Sequence, residues 1–144
     1  MSIYREFCHE ITDENGMLKK ITLDYPENFN FGYDVVDRVA GETPDKRAIV
    51  WCNAEGEEHI FTFSDIRRCS NRIANVFRAA GIGHGDRVML ILKRHYEYWF
   101  AAVALHKIGA VMIPVTHMLT VSIWVTGIVT APSLCSATAA NQYS

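Results

Sequence analysis

The run Arg87-Val88-Met89-Leu90-Ile91-Leu92, then Tyr96 to Ile108, then Gly109-Ala110-Val111-Met112-Ile113, decides the fold class. Five consecutive apolar residues behind Arg87 suit a strand covered on both faces in a parallel sheet. Parallel strands need a crossover of about a dozen residues or more, which is usually helical. Tyr96 to Ile108 supplies it, with Trp99, Val103 and Leu105 among its apolar positions and Gly109 as its stop. Ala110 to Ile113 is then the returning strand. The predicted unit is βαβ with a right-handed connection, and the class is α/β.

Immediately before this unit stands Gly81-Ile82-Gly83-His84-Gly85-Asp86. A dinucleotide loop reads G-x-G-x-x-G and leads from strand into helix, because phosphates are held by amides at a helix start. Here the spacing is G-x-G-x-G and the order runs from helix into strand. A helix end turns partial negative charge toward a ligand, so the segment reads as a structural turn. The preceding helix is predicted to start at Ser64 as N-cap. It carries Ile66, Cys69, Ile73, Phe77 and Ala80 on one face and stops at Gly81. Arg67, Arg68, Asn71, Arg72 and Arg78 lie on its other face and read as a solvated surface rather than an anion-binding strip.

Farther toward the N-terminus, Ala48-Ile49-Val50-Trp51 and His59-Ile60-Phe61-Thr62-Phe63 flank the turn-forming Asn53-Ala54-Glu55-Gly56-Glu57 and predict a β-hairpin. Tyr33, Val36, Val39 and Ala40 recur at helical spacing, with Asp34 in the first turn and Thr43-Pro44 as a stop. A short amphipathic helix is expected there.

Composition narrows the function classes. The 144 residues carry 14 Lys and Arg against 16 Asp and Glu, a net charge of −2. That balance lacks the positive field that nucleic acid or an anionic membrane surface rewards, so no nucleic-acid partner is expected. Cys8, Cys52, Cys69 and Cys135 form no C-x-x-C pair, and His9, His59, His84, His95, His106 and His117 form no H-E-x-x-H, so no metal site is expected. The thiols read as free, and the charged N-terminus is no secretory signal, which points to the cytoplasm. Neither G-x-S-x-G nor G-x-x-x-x-G-K-[ST] occurs.

Every charged residue lies at or before Lys107. Ile108 to Leu134 is longer than the roughly 20 apolar residues that span a bilayer, but Pro114, His117, Pro132 and many hydroxyl residues interrupt it, so a membrane span is not expected.

Several segments resemble the adenylate-forming (AMP-binding) superfamily. Phe61-Thr62-Phe63-Ser64-Asp65-Ile66 is similar to its L-T-Y-x-E-L box. Leu105-His106-Lys107-Ile108-Gly109-Ala110-Val111-Met112-Ile113-Pro114 is similar to its L-K-x-G-A-x-x-x-P box. Between them, Ser70-Asn71-Arg72, Ala74-Asn75 and Gly85-Asp86-Arg87-Val88 resemble S-N-x-x-A-N…G-D-R-V. Asn28-Phe29-Asn30-Phe31, Asp34-Val35-Val36-Asp37, Trp51 and Glu97-Tyr98-Trp99 most resemble the medium-chain acyl-CoA synthetase branch.

The resemblance covers residues from about Leu23 to Leu119. It implies an incomplete N-terminal part of the synthetase large domain over 25–120, behind an N-terminal extension, 1–24. Residues 121–144 read as an aberrant segment from another frame or across a junction, or as a divergent tail, expected to be disordered. The full-length family uses ATP, magnesium and coenzyme A to convert a carboxylate to its acyl-CoA through an acyl-adenylate. Its phosphate loop, adenine motif, ribose aspartate and catalytic lysine lie downstream of the matched region. No catalytic, cofactor-binding or metal residue is therefore assigned here. The expectation is a chain inactive alone, or the non-catalytic half of a split synthetase or an assembly module. A parallel sheet cut short also leaves an open edge, so a marginal, poorly soluble fold is expected.

Overall fold

A computed structural model describes residues 3–92 and 95–115. The expected tail at 121–144 lies outside the described residues. In chain order the elements are α1 (Tyr4–Phe7), β1 (Cys8–Thr12), β2 (Leu18–Leu23), a π-helix (Phe31–Asp37), α2 (Arg38–Glu42), β3 (Arg47–Cys52), β4 (Glu58–Thr62), α3 (Phe63–Ala79), β5 (Arg87–Leu90), α4 (Glu97–Ile108) and β6 (Val111–Pro114). The strands form three two-stranded sheets.

The deciding βαβ unit is present. β5 and β6 pair in parallel, Arg87 opposite Val111 and Leu90 opposite Pro114. Gly109 closes α4 at φ +73, the left-handed conformation that costs glycine nothing. A Cβ there would sit 2.5 Å from His84 Cδ2, so packing demands glycine as well. Two details differ from expectation. β5 stops at Leu90, and only Val88 and Leu90 are buried while Arg87 is exposed. Trp99, expected on the apolar side of α4, is 54% exposed, whereas Phe100 to Leu105 are all buried. Burial on nearly every side makes α4 the central element, as expected of a helix apolar all round.

α3 packs on α4, and Ile66, Ile73, Ala74 and Phe77 join Val88, Leu90, Phe100, Ala104 and Leu105 in one core. The start of α3 corrects the sequence reading. Thr62, not Ser64, is the N-cap: its hydroxyl accepts from the Asp65 amide at 3.2 Å, and the Asp65 carboxylate accepts from the Thr62 amide at 3.0 Å. This reciprocal box satisfies amides that Ser64, already inside the helix, has no geometry to serve. At the other end, Ala80 is exposed rather than part of the buried face, and Ser70 takes a core position. The terminator is as expected. Gly81 stands at φ +85, with Ile82 donating to the Phe77 carbonyl at 2.9 Å and Gly81 to that of Arg78 at 3.0 Å.

The β3–β4 hairpin is antiparallel, with Trp51 opposite His59. It docks on α4 through aromatic edges: Phe61 lies 5.2 Å from Phe100 and 4.7 Å from Tyr96, and Trp51 lies 5.4 Å from Tyr96. The short helix expected at Tyr33 to Ala40 is longer and of two kinds, the π-helix followed by α2. Val36, Val39 and Ala40 are buried as predicted, whereas Tyr33, read onto the same face, is 46% exposed.

Residues 8–23, read from sequence only as an extension, form a second hairpin. Its turn repeats the chemistry of the first. Asp13 Oδ1 accepts from the Asn15 and Met17 amides, each at 2.9 Å, and Gly16 sits at φ +77, just as Asn53 Oδ1 accepts from the Glu57 amide and Gly56 sits at φ +85. The hairpin is tied down mainly at its base, where Arg38 grips Glu6 through two bonds of 2.6 and 2.9 Å and Phe7 meets Phe29 edge-on at 4.9 Å.

The capping assignment has a direct check. Thr62→Ala is expected to lower stability by about 1 kcal/mol. Ser64→Ala is expected to be close to neutral. Urea denaturation followed by circular dichroism compares the two, and the reverse ranking would place the cap at Ser64.

Candidate functional site

A connected set of polar groups lies where the π-helix and α3 meet the end of α4. Lys107 sits in the otherwise apolar face of α4, between Leu105 and Ile108, so its ammonium is carried into the interior; the residue is 4% exposed. Its Nζ donates to Asp37 Oδ1 and to Asn71 Oδ1, each at 2.7 Å, and stands 5.6 Å from the Tyr33 ring centroid. Burial pulls the Lys107 pKa below its usual value, and the bond to Asp37 opposes that pull without cancelling it.

Asn30 completes the seam. Its side-chain oxygen accepts from the Gly32 amide at 3.0 Å while its side-chain nitrogen donates to the His106 carbonyl at 2.7 Å. The Asn30 amide donates to Asp34 Oδ2 at 2.6 Å. Gly32 lies against α4 so closely that a Cβ would come within 2.6 Å of Lys107 Cγ. His106 Nδ1 is buried without a hydrogen bond among the described residues, and its ring meets Phe31 edge-on at 5.9 Å. Burial lowers the His106 pKa. Apart from His106 Nδ1, these groups bond one another, and they join the π-helix and α3 to α4.

The glycine loop is a turn, as its order in the chain predicts. The Gly83 amide donates to Asp86 Oδ2 at 2.8 Å, the Asp86 amide to the Gly83 carbonyl at 3.3 Å, and the Gly85 amide to the Gly109 carbonyl at 2.9 Å. The Asp86 carboxylate occupies the place an anion would take, so this loop does not fit a polyphosphate. Two residues of the basic face already have partners: Arg68 pairs with Asp65 at 2.8 Å, and Asn71 is engaged by Lys107. Among the described residues, no group of three or more His, Cys, Asp or Glu stands close enough to hold a metal ion. No described helix is long and apolar enough to cross a membrane. Cys8, Cys52 and Cys69 are free, and burial pushes the Cys69 thiol up, away from reactivity. Cys135 and His117 lie outside the described residues.

Residues 36–122 match the family of AMP-binding enzymes, and the chain belongs to that family. Human acyl-coenzyme A synthetase ACSM3, mitochondrial, is 40% identical over 111 residues, which are 73% of this chain and 19% of that protein. The fatty acid AMP ligase of Legionella pneumophila superposes with a TM-score of 0.56 at 25% identity, over 59% of this chain and 15% of that one. The N-terminal subdomain of Klebsiella oxytoca NpsA does so with a TM-score of 0.62 at 20% identity, over 72% and 32%, a likeness of fold alone. The chain thus resembles the N-terminal region of an acyl-CoA synthetase and spans about a fifth of the length of the curated relatives it matches. Those relatives are named mitochondrial, so the cytoplasmic expectation gains no support from them.

The Lys107 seam was missed as a unit in the sequence reading, although Lys107 and Asp37 both lie in the quoted family segments. The available signal was a lysine flanked by core residues in an apolar helix, which implies a buried carboxylate elsewhere.

Two measurements test the seam. Lys107→Met leaves Asp37 without its cation and is expected to cost about 3 kcal/mol, with much of the loss recovered in Lys107→Met/Asp37→Leu. For His106, the folded pKa lies below the ordinary 6.5, so between the two values the unfolded chain binds more protons. Its contribution is fully present above about 6.5 and is lost as pH falls through the folded value. Acidification from neutral pH is therefore expected to destabilise the wild type more than His106→Gln. Equal slopes in denaturation midpoint against pH would contradict this.

Proposed function

We propose that this chain supplies the N-terminal scaffold of an ATP-dependent acyl-CoA synthetase and has no ligase activity by itself. The carrying observation is the identity to acyl-coenzyme A synthetases over 111 residues, together with a polar seam whose groups are spent on holding helices. The parent reaction joins a carboxylate to coenzyme A with ATP and magnesium. The family segments quoted from the sequence favour medium-chain fatty acids as the substrate class. In such a reaction, polyphosphate charge must meet aligned amides, cations and metal before acyl transfer. On this reading those groups come from sequence beyond the matched region.

The organisation proposed is the scaffold over 25–120, an N-terminal extension before it and a distinct segment at 121–144. The alternative of a split synthetase, completed by a second chain, is favoured by one feature. Val111 and Ile113 of β6 remain 49% and 38% exposed, an apolar strand placed to receive further structure.

ATP–pyrophosphate exchange with a medium-chain fatty acid tests the reading. The purified 144-residue chain is expected to show none. The same residues grafted in place of the matching region of an acyl-coenzyme A synthetase are expected to keep exchange. Exchange by the isolated chain would overturn the proposal, and so would loss of exchange in a folded graft.

A further inference from the structure

The turn of the β1–β2 hairpin carries an exposed Asn-Gly dipeptide that the scaffold role does not use. Asn15 is exposed and precedes Gly16, whose own surroundings are open: a Cβ there would meet nothing within 4 Å. The other described asparagines are protected by sequence or by bonding. Asn30 uses both side-chain atoms, bonding Gly32 and His106. Asn53 likewise holds Glu57 through both, and it precedes Ala54. Asn71 and Asn75 lie within α3, where the following amides belong to the helix ladder, and Asn71 also accepts from Lys107. Asn28 precedes Phe29, whose amide is bonded to the Pro26 carbonyl at 2.9 Å.

We propose that Asn15-Gly16 is a site of self-modification, converting through a cyclic imide to aspartate and isoaspartate with water as the only co-reactant. The Gly16 nitrogen gives up its proton to solvent base and attacks Asn15 Cγ. A new C–N bond forms, and the bond to the side-chain nitrogen breaks, releasing ammonia. Water then adds to one of the two imide carbonyls. Opening at the side-chain carbonyl gives Asp at position 15, and opening at the backbone carbonyl routes the chain through the former side chain. One water enters and one ammonia leaves, with no change of oxidation state.

The attacking Gly16 amide is held by the Asp13 carbonyl at 3.0 Å, so the turn must first open. Opening is cheap here, because every residue of β2 is exposed and an isolated two-stranded hairpin is marginal. Glycine, lacking a Cβ, lets the peptide swing toward Cγ. Either product places a carboxylate beside Asp13 and Glu14, against the Asp13 oxygen that organises the turn. The isoaspartyl form also lengthens the turn backbone and upsets the pairing of Thr12 with Leu18. Conversion therefore loosens the hairpin.

The test holds the full 144-residue chain in mildly alkaline buffer, then maps its peptides by mass spectrometry with fragmentation that separates the two isomers. Both acidic products are expected at position 15 while Asn53 keeps its amide, and Asn15→Gln is expected to abolish the new acidic species. Asn53 serves as an internal reference should a variant fold poorly. The proposal falls if the position 15 amide outlasts that of Asn53. It also falls if the acidic species persist in Asn15→Gln, or if conversion occurs in urea and not in native buffer.

Discussion

An ammonium group inside an apolar helix organises the rest of this structure. α4 is buried on nearly every side, and Lys107 would carry a bare charge into that interior if nothing met it. Asp37 at the end of the π-helix and Asn71 on α3 meet it at 2.7 Å each. Three elements distant in sequence are thereby joined at one point. Hydrophobic contact alone has little directional preference, whereas a buried cation with two acceptors fixes how the π-helix and α3 are set against α4. Gly32 permits the close approach, and Asn30 locks it by spanning from its own helix start to the His106 carbonyl.

The same economy governs the polar groups of the seam, which are spent chiefly on one another. A nucleotide or acyl phosphate needs donors left open until the substrate arrives. The donors and acceptors around Lys107 and Asn30 are bonded to one another, His106 Nδ1 being the exception, and the glycine loop amides are met by Asp86 and the Gly109 carbonyl. In this part of an AMP-binding enzyme the seam joins the π-helix and α3 to α4, whose core residues also pack on Val88 and Leu90 of β5. The two hairpins differ in how they attach. β3–β4 is clamped to α4 by Trp51, Phe61, Tyr96 and Phe100, whereas β1–β2 is held chiefly at its base by Arg38, Glu6 and Phe7.

Local patterns in the sequence determined a good deal. The apolar run at Arg87 and the crossover to Gly109 specify a parallel pair, because period and glycine placement are properties of short segments. The order of helix before glycine loop before strand favoured a structural turn by the direction of the helix dipole, and the bonds of that turn are present. The family boxes identified the class of enzyme from residues 61–66 and 105–114. Tertiary structure decided the rest. Thr62 caps α3 in place of Ser64 because β4 delivers the chain to the helix two residues earlier than propensity suggested. Trp99 stays 54% exposed while Phe100 to Leu105 are buried, a choice that depends on how α4 is packed and not on its local period. The partnership of Lys107 with Asp37, 70 positions apart, belongs to no local period: a charge in an apolar helix announces that a counter-charge is needed, and only the packed chain shows which residue meets it.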